Sequence, residues 1–494
     1  MTTRSQAQEH RVVIVGGGIM GCATAYYLQQ KFNNAVSGKS QMQKSLKIVI
    51  LEQESIACHS SGKAAGFLAK DWHGSGSAVE SLAVLSFQLH EQLAKTFSAE
   101  AIGYRRMNCI GLGFGGIHQT GGREWLAKCD SESGRDMGKE DTLAQVHPEK
   151  LTKKLLEHTK DVEVMESCKV LGVSFNENIN GGGDSRQASA VQVEFQGKTR
   201  TPTSPTLIPC DQVVFCLGAW SFRVRDWLLD AIPRESEGEL ATANSFADPT
   251  SQLPDKEARL QKNKSGRLDI LKDTCGQRYT SVVYENIQTD NTAVFLDSKH
   301  DVELYPRPGN MLYACGCPDR VSVQELDGKY AKDIGPAEVD VKTIRGEVEK
   351  IVAGPGSSEK ATTGKENVDN SSRFSAATSC VLPSSADGSI VLGKIEACQN
   401  AFIACGHTCW GILNGPGTGY ILADLVLKDS GLLTNEGQLD DAPVVRKNER
   451  NNDLVNTGRA APVDATTSDE KRKIDQILKN FSPNREPATG CAQQ

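Results

Sequence analysis

The stretch Val12-Val-Ile-Val-Gly-Gly-Gly-Ile-Met-Gly21 decides the fold of this 494-residue chain. Its first four residues form a short apolar run, which is typical of a strand buried on both faces of a parallel sheet. Small and apolar residues at helical spacing then continue to Leu28. Between strand and helix, the glycines follow the pattern Gly-x-Gly-x-x-Gly, which permits a tight turn and a close approach of the backbone to a pyrophosphate. The stretch therefore predicts a dinucleotide-binding turn that opens a helix with its N-terminus toward the phosphates.

A second buried strand, Ile48–Leu51, ends at Glu52, the acidic residue expected to bind ribose hydroxyls. Glu52 lies 31 residues after Gly21, and a polar segment at 31–45 accounts for the extra length. A helical pattern follows at residues 148–159, and further apolar runs follow at 162–165, 170–173, 190–195 and 213–217. Strand, helix and strand in this order predict an α/β fold with a Rossmann-like, doubly wound sheet.

The composition excludes several classes of protein. The chain has 55 Lys+Arg against 62 Asp+Glu, a net charge of −7, which argues against a basic nucleic-acid surface. No run approaches the roughly 18 apolar residues of a membrane span, and the N-terminus has no apolar signal region. Cys405, His407 and Cys409 supply too few ligands for a metal site. We therefore expect no nucleic acid, no membrane span and no metal, and a cytoplasmic location by default, with a peripheral location on endosomal membranes as the alternative.

Several polar segments interrupt the predicted core. They lie at residues 31–45, 118–141, 178–187, 234–268 and 355–373. Such segments cannot bury enough apolar surface to offset the entropy lost when a chain is ordered. From about residue 430 the chain is again polar, apart from a short helical pattern at 468–480. We predict that residues 431–494 form a mostly disordered tail.

Three further stretches bear on the identity of the cofactor. Ala57–Leu68 is rich in small residues that let backbone amides approach a ligand, and Val214–Ser221 ends a strand in a Gly-Ala turn. Ala404–Gly419 is a glycine-rich turn that leads into the helical segment Tyr420–Leu427. A helix that begins there can direct its N-terminus at an electron-rich ligand atom, such as the N1/C2 carbonyl region of a reduced flavin.

Together these residues resemble the D-amino-acid-oxidase (DAO) family of FAD-dependent oxidoreductases, which includes glycine and sarcosine oxidases. The resemblance covers about residues 11–110, 145–230, 275–318 and 376–428, and it is strongest to a fungal and plant branch of the family. The marks of that branch are Gly66-Phe-Leu-Ala-Lys-Asp-Trp72, Glu303-Leu-Tyr-Pro-Arg-Pro-Gly309 and Gly406-His-Thr-Cys-Trp-Gly-Ile412.

The resemblance implies FAD as the cofactor and a discontinuous FAD-binding domain, predicted at residues 8–90, 143–230 and 376–430. Residues 91–142 and 231–375, with their polar insertions, would form an α+β substrate domain whose mainly antiparallel sheet covers the substrate face of the flavin. The residues predicted to bind FAD are Gly16, Gly18, Ile19, Met20, Gly21, Glu52, Gln53, Ser60, Ser61, Gly62, Lys63, Ala64, Ala65, Gly66, Phe67, Val170, Gly218, Ala219, Trp220, Cys380, Gly406, His407, Trp410, Gly411 and Ile412.

Several positions are informative against the family pattern. Leu382 stands where glycine-oxidase-like members have an arginine, and Trp410 stands where sarcosine-oxidase-like members have a lysine. The oxygen-activating lysine of the latter aligns near Ala314. These departures count against a simple α-amino acid as substrate and leave the electron acceptor open. Cys380 has the spacing of a cysteine that is bonded to the flavin in sarcosine-oxidase-like members; the alternative is a small buried residue without that bond.

Four residues are candidates for the substrate side of the flavin: Arg278, Arg307, Lys70 and Trp410. Arg278 opens a strand on the predicted inner face of the substrate domain. Arg307 would bind an anionic substrate or, alternatively, cap a turn or form a structural ion pair. Lys70 would project toward the far side of the flavin if the preceding residues run beneath the ring.

The sequence thus predicts an FAD-dependent oxidoreductase that oxidises a carbon–nitrogen bond of an amine or amino acid by hydride transfer to flavin N5, giving an imine. Its partners would be that small molecule and O2 or another electron acceptor. An alternative is a flavin-bound regulatory or binding protein, for example in vesicle trafficking, with little or no amine oxidase activity; the missing substrate cations and the long polar insertions motivate it. An NAD-linked dehydrogenase fits only the first motif.

Overall fold

The computed structural model describes residues 8–37, 44–113, 123–126, 135–176, 186–196, 205–229, 268–272, 275–352, 373–433 and 468–485. Its strands are β1 (Gln8–Val15), β2 (Lys44–Leu51), β3 (Phe67–Ala69), β4 (Arg105–Arg106), β5 (Asn108–Gly113), β6 (Arg135–Gly138), β7 (Leu143–Gln145), β8 (Val162–Met165), β9 (Cys168–Phe175), β10 (Ala188–Phe195), β11 (Thr206–Pro209), β12 (Gln212–Phe215), β13 (Cys275–Tyr284), β14 (Thr292–Asp297), β15 (Glu303–Arg307), β16 (Met311–Val321), β17 (Phe374–Ser384), β18 (Val391–Lys394) and β19 (Ala401–Cys405). Its α-helices are α1 (Ile19–Val36), α2 (Ser60–Lys63), α3 (Ala78–Phe97), α4 (Ala99–Ile102), α5 (Pro148–Glu157), α6 (Phe222–Leu229), α7 (Val323–Leu326), α8 (Glu338–Ile351), α9 (Gly411–Asp429) and α10 (Ser468–Asn480).

The first large sheet has the strand order β18-β19-β12-β1-β2-β8 and is parallel except for β18. Successive residues of β1 enter opposite cores. Val12 and Ile14 pack with α1, α3 and α9, whereas Val13 and Val15 pack with α6 and the antiparallel sheet β11-β10-β9. Because side chains alternate along a strand, a strand covered on both sides must be apolar throughout. The predicted Rossmann-like sheet is confirmed.

Helices α1 and α9 pack closely on one side of this sheet. A Cβ atom at Gly419 would lie 2.6 Å from the backbone carbon of Ala23, so the helices meet there at their backbones. Their shared apolar surface is one side of the first core. The start of α9 is thereby brought close to the glycine turn that opens α1.

The second large sheet has the order β17-β13-β16-β15-β14-β5-β6 and is antiparallel apart from the pair β14–β5. On one face, α8 buries Ile344, Val348 and Ile351 against it. The other face carries Tyr305 and Tyr313 into a separate, largely aromatic cluster. A third, small sheet has the strand order β3-β7-β4. The predicted fold class, a Rossmann-like sheet combined with a mainly antiparallel one, is confirmed.

Two of the predicted polar insertions contain ordered structure. Helix α1 continues to Val36, into the predicted insertion 31–45, because Lys31 lies 3.5 Å from the centroid of the Tyr420 ring and 3.6 Å from an oxygen of Asp424. These contacts fasten the last turns of α1 to α9. The prediction of an irregular segment there is wrong up to residue 36.

The predicted insertion 118–141 is also partly folded. Trp125 and Leu126 are buried in the core of the second sheet, and residues 135–138 form its edge strand β6. Of the predicted insertions, residues 38–43, 118–122, 127–134, 178–185, 234–267 and 355–372 lie outside the described residues.

The end of the chain differs from the predicted tail. Helix α10 occupies the predicted helical pattern, and it packs against the protein with Ile477 and Phe481 buried in the first core. Arg485 then pairs with the buried Asp387 through two bonds, Nε–Oδ2 at 2.9 Å and Nη2–Oδ1 at 3.0 Å. Residues 468–485 therefore belong to the folded protein, whereas 434–467 and 486–494 lie outside the described residues.

The predicted domain boundary at residue 90 falls inside α3. Leu89 and Leu93, on either side of it, lie in the same core as the first sheet. A boundary at that point would cut a packed helix, so we assign the whole of α3 to the first half of the molecule.

Candidate functional site

A long cleft lies at the carboxyl ends of β1, β2 and β12. It is lined by the glycine turn after β1, by Glu52 after β2, by residues 57–61, by the turn Leu217–Trp220 and by residues near the start of α9. Strands of a parallel sheet end at the same edge, and the crevice outside those ends is the usual ligand site of such sheets.

Close backbone contacts explain two glycines of the turn. A Cβ atom at Gly16, whose φ is +109°, would lie 2.3 Å from the carbonyl oxygen of Cys216. A Cβ atom at Gly21 would lie 2.0 Å from the carbonyl oxygen of Gly16. No side chain fits at these distances, so α1 starts directly against β1. Gly18, the N-cap of α1, lines the cleft.

Two backbone amides hold Glu52 at the edge of the cleft. Its Oε2 accepts a hydrogen bond from the N–H of Gly17 at 2.7 Å, and its Oε1 accepts one from the N–H of Glu54 at 3.0 Å. Burial raises the pKa of Glu52, and these two bonds act against that rise. Carboxylate oxygens have more than one lone pair each, so both retain capacity for a ligand hydroxyl.

Three buried ring nitrogens along the cleft have no hydrogen-bond partner among the described residues: His59 Nε2, Trp220 Nε1 and His407 Nδ1. Burial lowers the pKa of each histidine to about 3, so both rings are neutral. The other ring nitrogen of His407 lies 2.9 Å from Thr418 Oγ1. Buried polar atoms cost free energy unless they are paired, so this side of the cleft favours a polar ligand.

The second half of the chain also contributes to the Glu52 end of the cleft. Gly328–Ala331 line it, and the N–H of Lys332 donates to Glu54 Oε1 at 3.2 Å. Lys169 and Lys332 place their ammonium groups 5.8 and 5.1 Å from the centroid of the Tyr330 ring. The sequence offers no signal for this loop, because its position depends on contacts with a segment almost 280 residues away.

Beside the cleft, β15 presents Glu303, Tyr305 and Arg307 on one face, since side chains alternate along a strand. The Tyr305 hydroxyl donates to Glu303 Oε2 at 2.6 Å, and Arg307 Nη2 donates to the carbonyl oxygen of Ala64 at 2.8 Å. Ala64 and Cys409 line the cleft, and Glu303 contributes to the raised pKa of the Cys409 thiol. None of the three β15 residues lines the cleft itself; their face of the second sheet adjoins it through Ala64.

Neither charged residue of this face has an oppositely charged partner among the described residues. The guanidinium carbon of Arg307 lies 4.3 Å from the centroid of the Tyr313 ring, and its Nε is buried without a hydrogen-bond partner. Burial lowers the pKa of Arg307. Burial likewise raises the pKa of Glu303 to about 7; the hydroxyl of Tyr305 acts against this rise and Asp301 adds to it.

Most residues predicted to bind FAD lie on the cleft. Those that line it are Gly16, Gly18, Ile19, Met20, Glu52, Gln53, Ser60, Ser61, Ala64, Val170, Gly218, Ala219, Trp220, His407, Gly411 and Ile412. Those that do not are Gly21, Gly62, Lys63, Ala65, Gly66, Phe67, Cys380, Gly406 and Trp410. Gly62 and Gly66 are needed for packing, since their Cβ atoms would lie 2.0 Å and 1.9 Å from the carbonyl oxygens of Ala57 and Val146.

The four predicted substrate-side residues are not brought together. Arg278 forms an ion pair of 2.8 Å with Asp319, its register partner on β16, and does not line the cleft. Because its charge is already neutralised across the strand pair, we remove Arg278 from the candidates. None of the four lines the cleft, but Arg307 donates a hydrogen bond to the carbonyl oxygen of Ala64, which does.

Trp410 and Lys70 lie beside this region. Trp410 is the N-cap of α9, and its ring centroid is 6.3 Å from that of Trp72 and 4.9 Å from that of His73. Lys70 follows β3, and its backbone N–H donates to the carbonyl of Thr142 at 3.0 Å. Trp72 and Trp410 pack in the same cluster as Tyr305 of β15. Trp410 is the residue that stands where sarcosine-oxidase-like members have a lysine. The cleft residues that are missing from the predicted FAD-binding set include His59, Lys169 and Pro383.

Among the residues that the structure describes, no helix is long and apolar enough to cross a lipid bilayer. The same residues contain no group of three His, Cys, Asp or Glu side chains that would hold a metal ion.

The glycine turn and Glu52 at the carboxyl ends of a Rossmann-like parallel sheet define a dinucleotide-binding protein. Residues 11–425 match the DAO family of FAD-dependent oxidoreductases, and the chain belongs to that family. It is 25% identical over 449 residues to a Schizosaccharomyces pombe protein described as an oxidoreductase, C1F5.03c, a match that covers 88% of this chain and 98% of that protein. It is 39% identical over 109 residues to a Saccharomyces cerevisiae protein described as an oxidoreductase, TDA3, a match that covers 22% of this chain and 18% of that protein.

Solved structures share the fold at low sequence identity. Glycine oxidase from Bacillus cereus superimposes with a TM-score of 0.55 at 17% identity, covering 86% of this chain and 96% of that one. L-amino acid deaminase from Proteus vulgaris superimposes with a TM-score of 0.54 at 14% identity, covering 87% of this chain and 95% of that one.

The residues of the cleft fit FAD. The turn at Gly16 to Gly18 would hold the pyrophosphate, Glu52 would bind the ribose, and the unpaired nitrogens of His59, Trp220 and His407 would find partners on the cofactor. The protein is an FAD-dependent oxidoreductase.

Proposed function

We propose that the protein oxidises a carbon–nitrogen bond of an amine or amino acid. The observation that carries this proposal is the face of β15 beside the cleft, joined to it by the hydrogen bond from Arg307 to Ala64, where Glu303, Tyr305 and Arg307 would meet a small polar substrate. The names of several proteins with this fold agree with it: glycine oxidase, L-amino acid deaminase and L-proline dehydrogenase.

When bound, FAD would supply the acceptor for a hydride from the carbon that carries the nitrogen, and water would hydrolyse the resulting imine. The protein's own groups have other tasks. Glu303 would accept a proton from the ammonium form of the substrate, because only the neutral amine has a lone pair to form the carbon–nitrogen double bond. The aromatic residues Phe67, Trp72 and Trp410 would keep water from the reacting carbon.

The test is anaerobic mixing of the purified yellow holoprotein with a panel of primary amines, secondary amines and amino acids. We expect at least one to bleach the flavin absorbance, and free FAD under the same conditions to remain yellow. Readmission of O2 or of an artificial acceptor then shows which one reoxidises the flavin.

A flavin that dithionite reduces but that no member of the panel bleaches would contradict the proposal. That outcome would favour the alternative, a flavin-bound regulatory or binding protein with little or no amine oxidase activity.

A further inference from the structure

We propose that the substrate carries two charged groups, an amine that binds at Glu303 and an anionic group that binds at Arg307, separated by several carbon atoms. This inference rests on the proposed function and names its substrate class. The class is that of an ω-amino acid or a similar amine with a remote carboxylate, in contrast to an α-amino acid or a plain alkylamine.

Both charged side chains lack an oppositely charged partner among the described residues. Arg307 has a backbone carbonyl, that of Ala64, and the face of Tyr313 as its contacts, with no carboxylate paired to it among the described residues. Glu303 accepts hydrogen bonds from the hydroxyl of Tyr305 and, at 3.8 Å, from the thiol of Cys315. No cation is paired to it in the part of the chain that the structure describes. Burying an unpaired charge is costly, and a ligand with complementary charges would remove that cost at both positions.

The two charged side chains are well separated along β15. Glu303 and Arg307 are four residues apart on one strand, which is about 13 Å between their Cα atoms at roughly 3.3 Å per residue. Tyr305 stands between them, and its hydroxyl is directed at Glu303. The guanidinium group of Arg307 is directed instead at Ala64 and Tyr313. The amine and carboxylate of an α-amino acid share one carbon atom and cannot reach both partners, whereas a longer chain can.

The amine end of the substrate would also release a proton. Ionisable groups that interact with Glu303 come from several elements: Cys109, Tyr279, Asp301, Tyr305, Cys315 and Cys409. Burial raises the pKa of the tyrosines and cysteines in this set, so these groups keep their protons near neutral pH. The ammonium proton would therefore pass to a carboxylate oxygen of Glu303, which leaves a neutral amine, and would later leave to solvent.

The experiment compares two series on the holoprotein: ω-amino acids of increasing length and n-alkylamines of the same lengths. Binding is followed by perturbation of the oxidised flavin spectrum, and reduction by anaerobic bleaching. We expect the longer ω-amino acids to bind about tenfold or more tightly than the matching alkylamines, a difference of about 1.4 kcal/mol or more.

The variants assign each end. Arg307→Gln should abolish the advantage of the ω-amino acids over the matching alkylamines, and Arg307→Lys should keep part of that advantage. Glu303→Gln should weaken both series. Arg320→Gln, an exposed arginine on β16, is the matched control and should change neither.

Four results would overturn the inference. The first is that α-amino acids bind as tightly as the longer compounds, which would place both groups at one end. The second is that Arg307→Gln and Arg307→Lys lose FAD, and not substrate affinity, while their thermal unfolding is unchanged. Arg307 would then serve the cofactor. If no amine of either series bleached a reducible flavin, the proposed function itself would fail; bleaching by alkylamines alone would refute the substrate class and leave that function standing.

Discussion

His90 Nε2 lies 2.9 Å from the carbonyl oxygen of Ile412 and 3.1 Å from that of Leu413, in the first turn of α9. A carbonyl oxygen accepts hydrogen bonds, so Nε2 carries the proton, and burial lowers the pKa of His90 to about 4, which keeps the ring neutral. Pro416 has no N–H to donate to Ile412, its acceptor four residues earlier. His90 thus replaces the hydrogen bond that the proline removes.

This relationship predicts that His90→Ala weakens FAD retention, because the start of α9 lines the cleft and would lose its support. A buried carbonyl left unpaired costs about 1–3 kcal/mol. Pro416→Ala restores a donor to Ile412, so the double variant should retain FAD better than His90→Ala alone. FAD dissociation constants and urea unfolding measure both effects, with the exposed His158→Ala as control. Equal losses in the single and double variants would contradict the prediction.

Cys380 is predicted to hold no covalent bond to FAD. The thiolate is the reactive form of cysteine, and burial raises the pKa of Cys380 to about 11, although Lys63 acts against the rise. Acid precipitation should therefore release the yellow colour to the supernatant, and Cys380→Ser should bind FAD as the parent does. The covalent bond would be shown if the colour stayed in the pellet of the parent protein but passed to the supernatant of Cys380→Ser.

The raised pKa of Glu303, about 7, predicts two pH dependences. The value of kcat/KM for an amine should rise as the pH increases through about 7, since the ionised carboxylate accepts the substrate proton, and Glu303→Gln should flatten that limb. The folded protein also binds a proton here that the unfolded chain releases near its ordinary pKa of about 4.3. The free energy of folding that this proton contributes is fully present below about pH 4.3 and is lost as the pH rises to about 7.

Urea unfolding at several pH values measures the second effect. The parent protein should lose stability relative to Glu303→Gln between about pH 4 and pH 7. A constant difference between the two over that range would show that Glu303 titrates normally.

The ion pair between Arg485 and Asp387 predicts that the end of the chain stabilises the fold. Burial alone would raise the pKa of Asp387, but hydrogen bonds from Arg485, Ser389 and Ser385 outweigh it and lower the pKa below its ordinary value. The contribution is therefore present above the unfolded pKa of about 3.9 and is lost as the pH falls through the lower folded value.

We expect Arg485→Gln to destabilise the protein by about 3–5 kcal/mol at neutral pH, because it leaves a buried carboxylate without its cation. Arg472→Gln, an exposed arginine on α10, is the matched control in urea unfolding. The prediction is contradicted if the two variants unfold alike.

How much the sequence predicts depends on how local each feature is. The strand, turn and helix around Gly16 are local: hydrophobic period, β-branched residues and glycines at fixed spacing all lie within about twenty residues. Glu52 follows for the same reason, since the end of a buried strand places it at the edge of the sheet. By contrast, residues 468–485 have a polar composition, and the burial of Ile477 and Phe481 in the first core shows that the predicted helix packs against the protein.

The sequence by itself therefore determined the Rossmann-like half of the protein and most of the cleft residues that this half contributes. The tertiary structure decided which charges remain unpaired beside that cleft. Arg278 is paired because strand register places Asp319 opposite it, whereas Arg307 and Glu303 have no such partners among the described residues. Register and packing between distant segments set these pairings, and no local pattern in the sequence encodes them.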